Sequence, residues 1–164
     1  LPEDLTKANF SPLQGTSDSY PGIPKNIKIK RVTYTLKGIS GFRHWLRSSA
    51  DGKIVYFLME DEYLVTNIFC VSVDSGKIKQ ITNHKNSIHS PFNISPDGQK
   101  IIYICNDALV FYNINTNNPT ILLESNKDLY GIPNFDKTGK YVFYNQYVYI
   151  NSDEKYLQIF KIKL

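Results

Sequence analysis

Apolar residues along this chain come in short runs separated by small polar clusters. Ile54 to Met59, Ile68 to Val73, Lys100 to Cys105, Leu109 to Ile114 and Tyr141 to Tyr144 are rich in Ile, Val, Tyr and Phe, and Gly, Asp, Asn or Ser punctuates the intervals between them. Such runs predict strands buried on both faces rather than amphipathic helices. The stretch Asn93 to Ile104, NISPDGQKIIYI, shows the unit most clearly. Asp97-Gly98 predicts a chain reversal, because Gly accepts positive φ and the Asp side chain can hold the turn; Ile101 to Ile104 then suit a buried strand.

The same pattern occurs twice more. Upstream, Ser48 to Lys53 leads into Ile54 to Leu58; downstream, Asn134 to Lys140 leads into Tyr141 to Tyr144, with Lys137-Thr138-Gly139 in place of Pro-Asp-Gly. Gly52, Gly98 and Gly139 are 46 and 41 residues apart, the period of a four-stranded propeller blade. The expected fold is all-β: three propeller blades of four-stranded type in an open arrangement. Residues 1–26, with Pro2, Pro12, Pro21 and Pro24, predict an irregular arm, and 27–37 an outer strand of a preceding or partner blade. The blades follow over 38–84, 85–127 and 128–164, the last lacking a fourth strand.

A ring needs more blades than this. Completion would come from remaining blades of a parent protein or from self-association, Ile27 to Leu36 then closing the partner's third blade. The opening Leu1-Pro2-Glu3 has no initiator Met, which suggests a processed chain or a piece of a longer one.

Composition narrows the function classes without choosing one. The 164 residues are 41% hydrophobic and 21% charged, as in ordinary globular domains, and the net charge of +4 is spread along the chain. Lys25, Lys28, Lys30 and Arg31 suit a solvated edge strand. Without a recognition helix or aromatic motif beside them, no nucleic-acid partner is expected. No apolar run approaches the roughly 18 residues of a transmembrane segment. Cys70 and Cys105 sit inside strand runs and are expected to be small buried residues.

The repeat resembles the WD-like repeat of TolB-like propellers and of the propeller domains of prolyl oligopeptidase-type enzymes; Asn93 to Ile104 carries that resemblance best. Gly41 to Ser49, GFRHWLRSS, with the arm and the Gln80-Ile81-Thr82 ending, is similar to the YidR-like bacterial proteins. The resemblance implies a fold more than an activity, since related propellers dock proteins, gate enzymes or cleave carbohydrates with a metal. It also points to the bacterial periplasm or envelope, with the cytoplasm as the alternative.

Arg43, His44, Trp45 and Arg47 form the densest polar and aromatic group. On an inner strand, alternation sends Arg43, Trp45 and Arg47 to one side; two guanidiniums and an indole suit a carboxylate, a sugar ring or a peptide. The competing reading packs Trp45 between blades and uses the arginines to tie loops. His84 and His89 lead into the second blade and with His44 give an alternative metal site, although the spacing matches no ligand motif. His89 is expected instead to cap or bridge blades before Ser90-Pro91. Glu60, Asp61, Glu62, Asp97 and Asp136 are expected as turn residues in solvent. No nucleophile elbow, phosphate loop or zincin motif occurs, and no cofactor is implied. The expected function is a non-catalytic binding propeller engaging protein or peptide. The alternatives are a lyase or hydrolase acting on acidic oligosaccharides, with Arg43, His44, Arg47, His84 and His89 as its residues, or an accessory propeller gating an enzyme.

Overall fold

The computed structural model describes residues 16–18, 20, 22–24, 27–35, 38–39, 46–125 and 128–164. Contacts divide the chain into two units, 1–31 and 32–164. In the first, Tyr20, Ile23, Ile27 and Ile29 are exposed, and Ile27 N donates to Pro24 O across 3.0 Å.

Three antiparallel sheets make up the second unit. Sheet 1 has β1 (Arg47–Ser48), β2 (Ile54–Glu60), β3 (Thr66–Ser72) and β4 (Ile78–Gln80) in sequential order. Sheet 2 repeats that order with β5 (Asn93–Ile94), β6 (Lys100–Cys105), β7 (Ala108–Asn113) and β8 (Asn118–Glu124). Sheet 3 has β9 (Leu129–Phe135), β10 (Tyr141–Tyr149) and β11 (Lys155–Lys163), with β10 in the middle.

Each sheet's first hairpin is built by one turn. Gly52 N donates to Ser49 O, Gly98 N to Ser95 O and Gly139 N to Asp136 O, at 2.9, 2.8 and 3.0 Å. Gly98 has φ of +70°, which a side-chain-bearing residue adopts at a cost. In the first two turns a serine hydroxyl donates to the Asp two residues on: Ser49 Oγ to Asp51 Oδ1 at 2.6 Å and Ser95 Oγ to Asp97 Oδ1 at 2.5 Å. The third turn exchanges the partners. Asp136 stands at the serine position, and Thr138 Oγ1 donates back to its Oδ2 at 2.6 Å. The network survives the exchange: the N–H of the first residue of the following strand, Ile54, Lys100 or Tyr141, donates to Ser49 Oγ, Ser95 Oγ or Asp136 Oδ1, at 3.0 Å in every case.

Alternation along the strands places the core between sheets. Ile101, Tyr103 and Cys105 of β6 join Tyr56, Leu58 and Ile68 of sheet 1 in one cluster. Ile102 of β6 and Leu109 of β7 join Phe135, Val142 and Tyr144 of sheet 3 in another. Sheet 2 is therefore buried on both faces, which explains the unbroken apolar run IIYI; each fully buried Ile or Leu contributes about 2 kcal/mol.

Residues 27–35 form no ladder within this chain, and Val32 packs on the far face of sheet 1 with Phe57, Phe69 and Val71. One expectation changes here. Asp61 is not a solvated turn residue but only 8% exposed, whereas Glu60 and Glu62 are exposed. Cys70 and Cys105 are free thiols, the first half-buried and the second buried.

Candidate functional site

Of the group Arg43, His44, Trp45 and Arg47, the first three lie outside the described residues. Arg47 is half-buried on β1, and burial lowers its pKa. Its Nε donates to Asn93 Oδ1 on β5 at 2.5 Å, and Asn93 Nδ2 donates to Pro133 O on β9 at 2.8 Å. One guanidinium and one amide thus link the first strands of all three sheets. A charge-assisted bond is among the stronger hydrogen bonds, and Asn93 uses both ends of its amide.

A second polar chain crosses from sheet 1 to sheet 2. Asp61 Oδ1 accepts from Tyr63 N and Val65 N at 2.9 and 3.0 Å, which shapes the β2–β3 loop. Its Oδ2 accepts from Asn67 Nδ2 at 3.0 Å. Asn67, fully buried, accepts at Oδ1 from Thr82 Oγ1 and from His84 N, both at 2.9 Å. His84 Nε2 lies 2.7 Å from the Tyr103 hydroxyl on β6, and the rings meet edge to face. Burial lowers the His84 pKa and raises that of Tyr103, so both are held uncharged.

These contacts bear on the metal alternative. His84 faces Tyr103, His89 is exposed and His44 is outside the described residues. Among the described residues, no three His, Cys, Asp or Glu gather closely enough to hold an ion. Next to His89, Ser90 Oγ donates to Ile104 O of β6 at 2.9 Å and accepts from Ile104 N at 3.0 Å, a tie within the second blade.

Beside His84 opens a groove of about 730 Å³ between the 84–86 segment and the β7–β8 hairpin. Its floor is apolar, with Cys105, Ala108, Val110 and Ile121; Asn86, Asn106, Asp107 and Glu124 stand at the rim with Lys85. Asn106 and Asp107 form the two-residue β6–β7 turn with φ of 50° and 57°, a type I′ geometry that these residue types tolerate. Ser125 N donates to Asp107 O at 2.9 Å and closes the groove's end. β8 extends from Asn118 to Glu124 whereas β4 stops after Ile78–Gln80, and Ile121 is left 55% exposed beside buried Val110. The sequence flagged His84 alone among these residues. The difference in length between β8 and β4 was not legible.

Stacked antiparallel sheets of three or four strands, first strand beside first strand, define a β-propeller, here an open arrangement of three blades. Solved propellers share it. The β-propeller domain of the Trilobed protease from Pyrococcus furiosus matches with a TM-score of 0.55 at 18% identity, over 71% of this chain and 39% of that one. TolB from Acinetobacter baumannii matches with a TM-score of 0.58 at 17% identity, over 78% of this chain and 31% of that one. In sequence the chain resembles protein YidR of Escherichia coli K12, 29% identical over 117 residues, which is 66% of this chain and 28% of YidR. The chain thus spans less than half the length of each of these proteins. No family model matches it.

Proposed function

We propose that the chain is a non-catalytic binding propeller that receives an extended peptide segment of a protein partner in the groove beside His84. The observation that carries this is the groove's make-up: an apolar floor ending in half-exposed Ile121, under a rim of Asn86, Asn106, Asp107 and Glu124. Apolar floors take side chains, and amide and carboxylate rims satisfy a peptide backbone as it leaves water. Rigid strands hold both. His84, held neutral against Tyr103, supplies shape rather than a charge. With His84 uncharged, Asp107 and Glu124 outnumber Lys85 at the rim, so a peptide with a basic residue beside an apolar one is favoured. The TolB-like resemblance supports a periplasmic or envelope setting; among the described residues no helix is long and apolar enough to cross a membrane.

NMR titration with short peptides that vary in charge and apolar content, and with uronate oligosaccharides, tests the reading. Basic-apolar peptides are expected to shift the amides of Asn106, Asp107, Ile121 and Glu124. Ile121→Glu should weaken that binding about tenfold or more without unfolding the chain. Shifts confined to the surroundings of Arg47, produced by uronates and not by peptides, would favour the carbohydrate alternative.

A further inference from the structure

We propose that the contact between the His84 ring and Tyr103 is a pH-sensitive latch on the groove, so that a proton on His84 and a basic ligand in the groove exclude one another. The inference rests on the reading of this groove as a peptide site. Sheet 2 has four strands and a sheet packed against each face, and the groove's lining belongs to that sheet and to the segment leading into it.

That segment, 84–86, forms one wall of the groove and is held by different means on its two sides. Toward sheet 1 the bonds are to groups that do not titrate. His84 N donates to Asn67 Oδ1 at 2.9 Å; just beyond, Ile88 N donates to Thr66 O at 2.9 Å and Thr66 N to Ser87 Oγ at 3.0 Å. Toward sheet 2 two polar ties reach β6. His84 Nε2 lies 2.7 Å from the Tyr103 hydroxyl, and the Cys105 thiol donates weakly to Asn86 O at 3.6 Å. The stronger of the two depends on the charge of an imidazole.

A neutral imidazole and a hydroxyl share one proton across such a contact. A second ring proton makes both nitrogens donors and puts a charge where burial disfavours it. The groups facing the ring do not offset that charge where it stands. Tyr103 and Cys105 of β6 and Tyr112 of β7 are held neutral by burial. Asp61 of the β2–β3 loop is turned to Asn67 and to the N–H groups of Tyr63 and Val65, and Lys85, next along the segment, is itself a cation. The compensating carboxylates, Asp107 and Glu124, stand exposed at the groove's rim. The protonated ring therefore leaves Tyr103 for the groove, where it takes the space and the carboxylates that a basic peptide uses.

The probe is the peptide acetyl-Thr-Val-Lys-Val-Thr-amide, which carries no titrating group between about pH 5 and pH 8, the range in which histidine changes charge. NMR follows its binding to the chain across that range. Its Kd should rise about fivefold or more from the upper end to the lower, and by reciprocity saturating peptide should lower the pH at which the His84 ring titrates. Without peptide, the amides of Asn86, Cys105 and Val110 should follow the His84 ring and not the ring of exposed His89. His84→Gln, with an amide but no titrating ring, should bind the peptide with an affinity that no longer changes over this range. The latch is overturned, and the proposed function left intact, by equal binding in the groove at both ends of the range or by groove amides that ignore the His84 titration. A His84→Gln variant that keeps the wild-type pH dependence also overturns it, since the effect then belongs to Asp107 and Glu124. Absence of binding at every pH overturns the proposed function and the latch together.

Discussion

At the scale of single residues, the three hairpin turns do one job with two arrangements of the same groups. Ser95 and Asp97 hold the second turn, whereas in the third the carboxylate sits first at Asp136 and the hydroxyl second at Thr138. From the letters alone the third turn looks like a decayed copy, because an exchange of donor and acceptor is visible only when both ends of the bond are seen. Exchanging the pair, Asp136→Ser with Thr138→Asp, should therefore leave the urea midpoint nearly unchanged. Thr138→Ala alone should lower it, because the carboxylate loses its side-chain donor. Acid should expose the same groups. The hydroxyl of Thr138, with backbone N–H groups, holds the Asp136 carboxyl down at about 2 from an ordinary 3.8, and the Ser49 and Ser95 hydroxyls lower Asp51 and Asp97. A depressed carboxyl stabilises the fold above its unfolded pKa, so that stabilisation is lost as the pH falls from about 4 toward 2. Asp136→Asn should flatten this acid limb in a urea-midpoint series against pH.

At the scale of elements, a buried polar chain decides how sheet 1 meets sheet 2. Glu60, Asp61 and Glu62 are indistinguishable as a sequence run, yet only Asp61 turns inward, because the β2–β3 loop offers two N–H groups and Asn67 offers a third. A linear reading cannot tell which of three adjacent carboxylates has buried donors waiting. Asn67→Ala should cost about 3 kcal/mol, since it leaves Asp61 Oδ2, the Thr82 hydroxyl and His84 N short of a partner in a dry interior. Equilibrium unfolding measures this, and a loss below about 1 kcal/mol would mean that water replaces the amide. Burial keeps His84 neutral, so its folded pKa lies below the unfolded 6.5. Stability from this group is present above about pH 6.5 and declines as the pH falls below it. His84→Gln should remove that decline near neutrality while leaving the acid limb of the turns in place.

At the scale of the whole molecule, the apolar runs announced the blades because sheet 2 is packed on both faces, and β6 divides its residues between two cores. Gly131 shows what they did not announce. It takes φ of +79° where β9 and β10 lose register, and a Cβ there would come within 3.2 Å of Asn145 Nδ2. In the run Leu129 to Phe135 only Gly131 and Pro133 hint at that bulge. Of the polar residues that looked most like chemistry, Arg47 was legible as a charge but not in its partner: Arg47 reaches Asn93, and Asn93 reaches Pro133, so this one member of the group joins first strands to one another. The central claim is that this inner chain holds blades together while ligand recognition belongs to the groove.

A double-mutant cycle on Arg47→Ala and Asn93→Ala, read by urea unfolding and by peptide titration of the same four proteins, tests that claim most directly. A coupling energy of about 1 kcal/mol or more, with groove binding retained in Arg47→Ala, is the predicted result. Zero coupling together with loss of ligand binding in Arg47→Ala would contradict it.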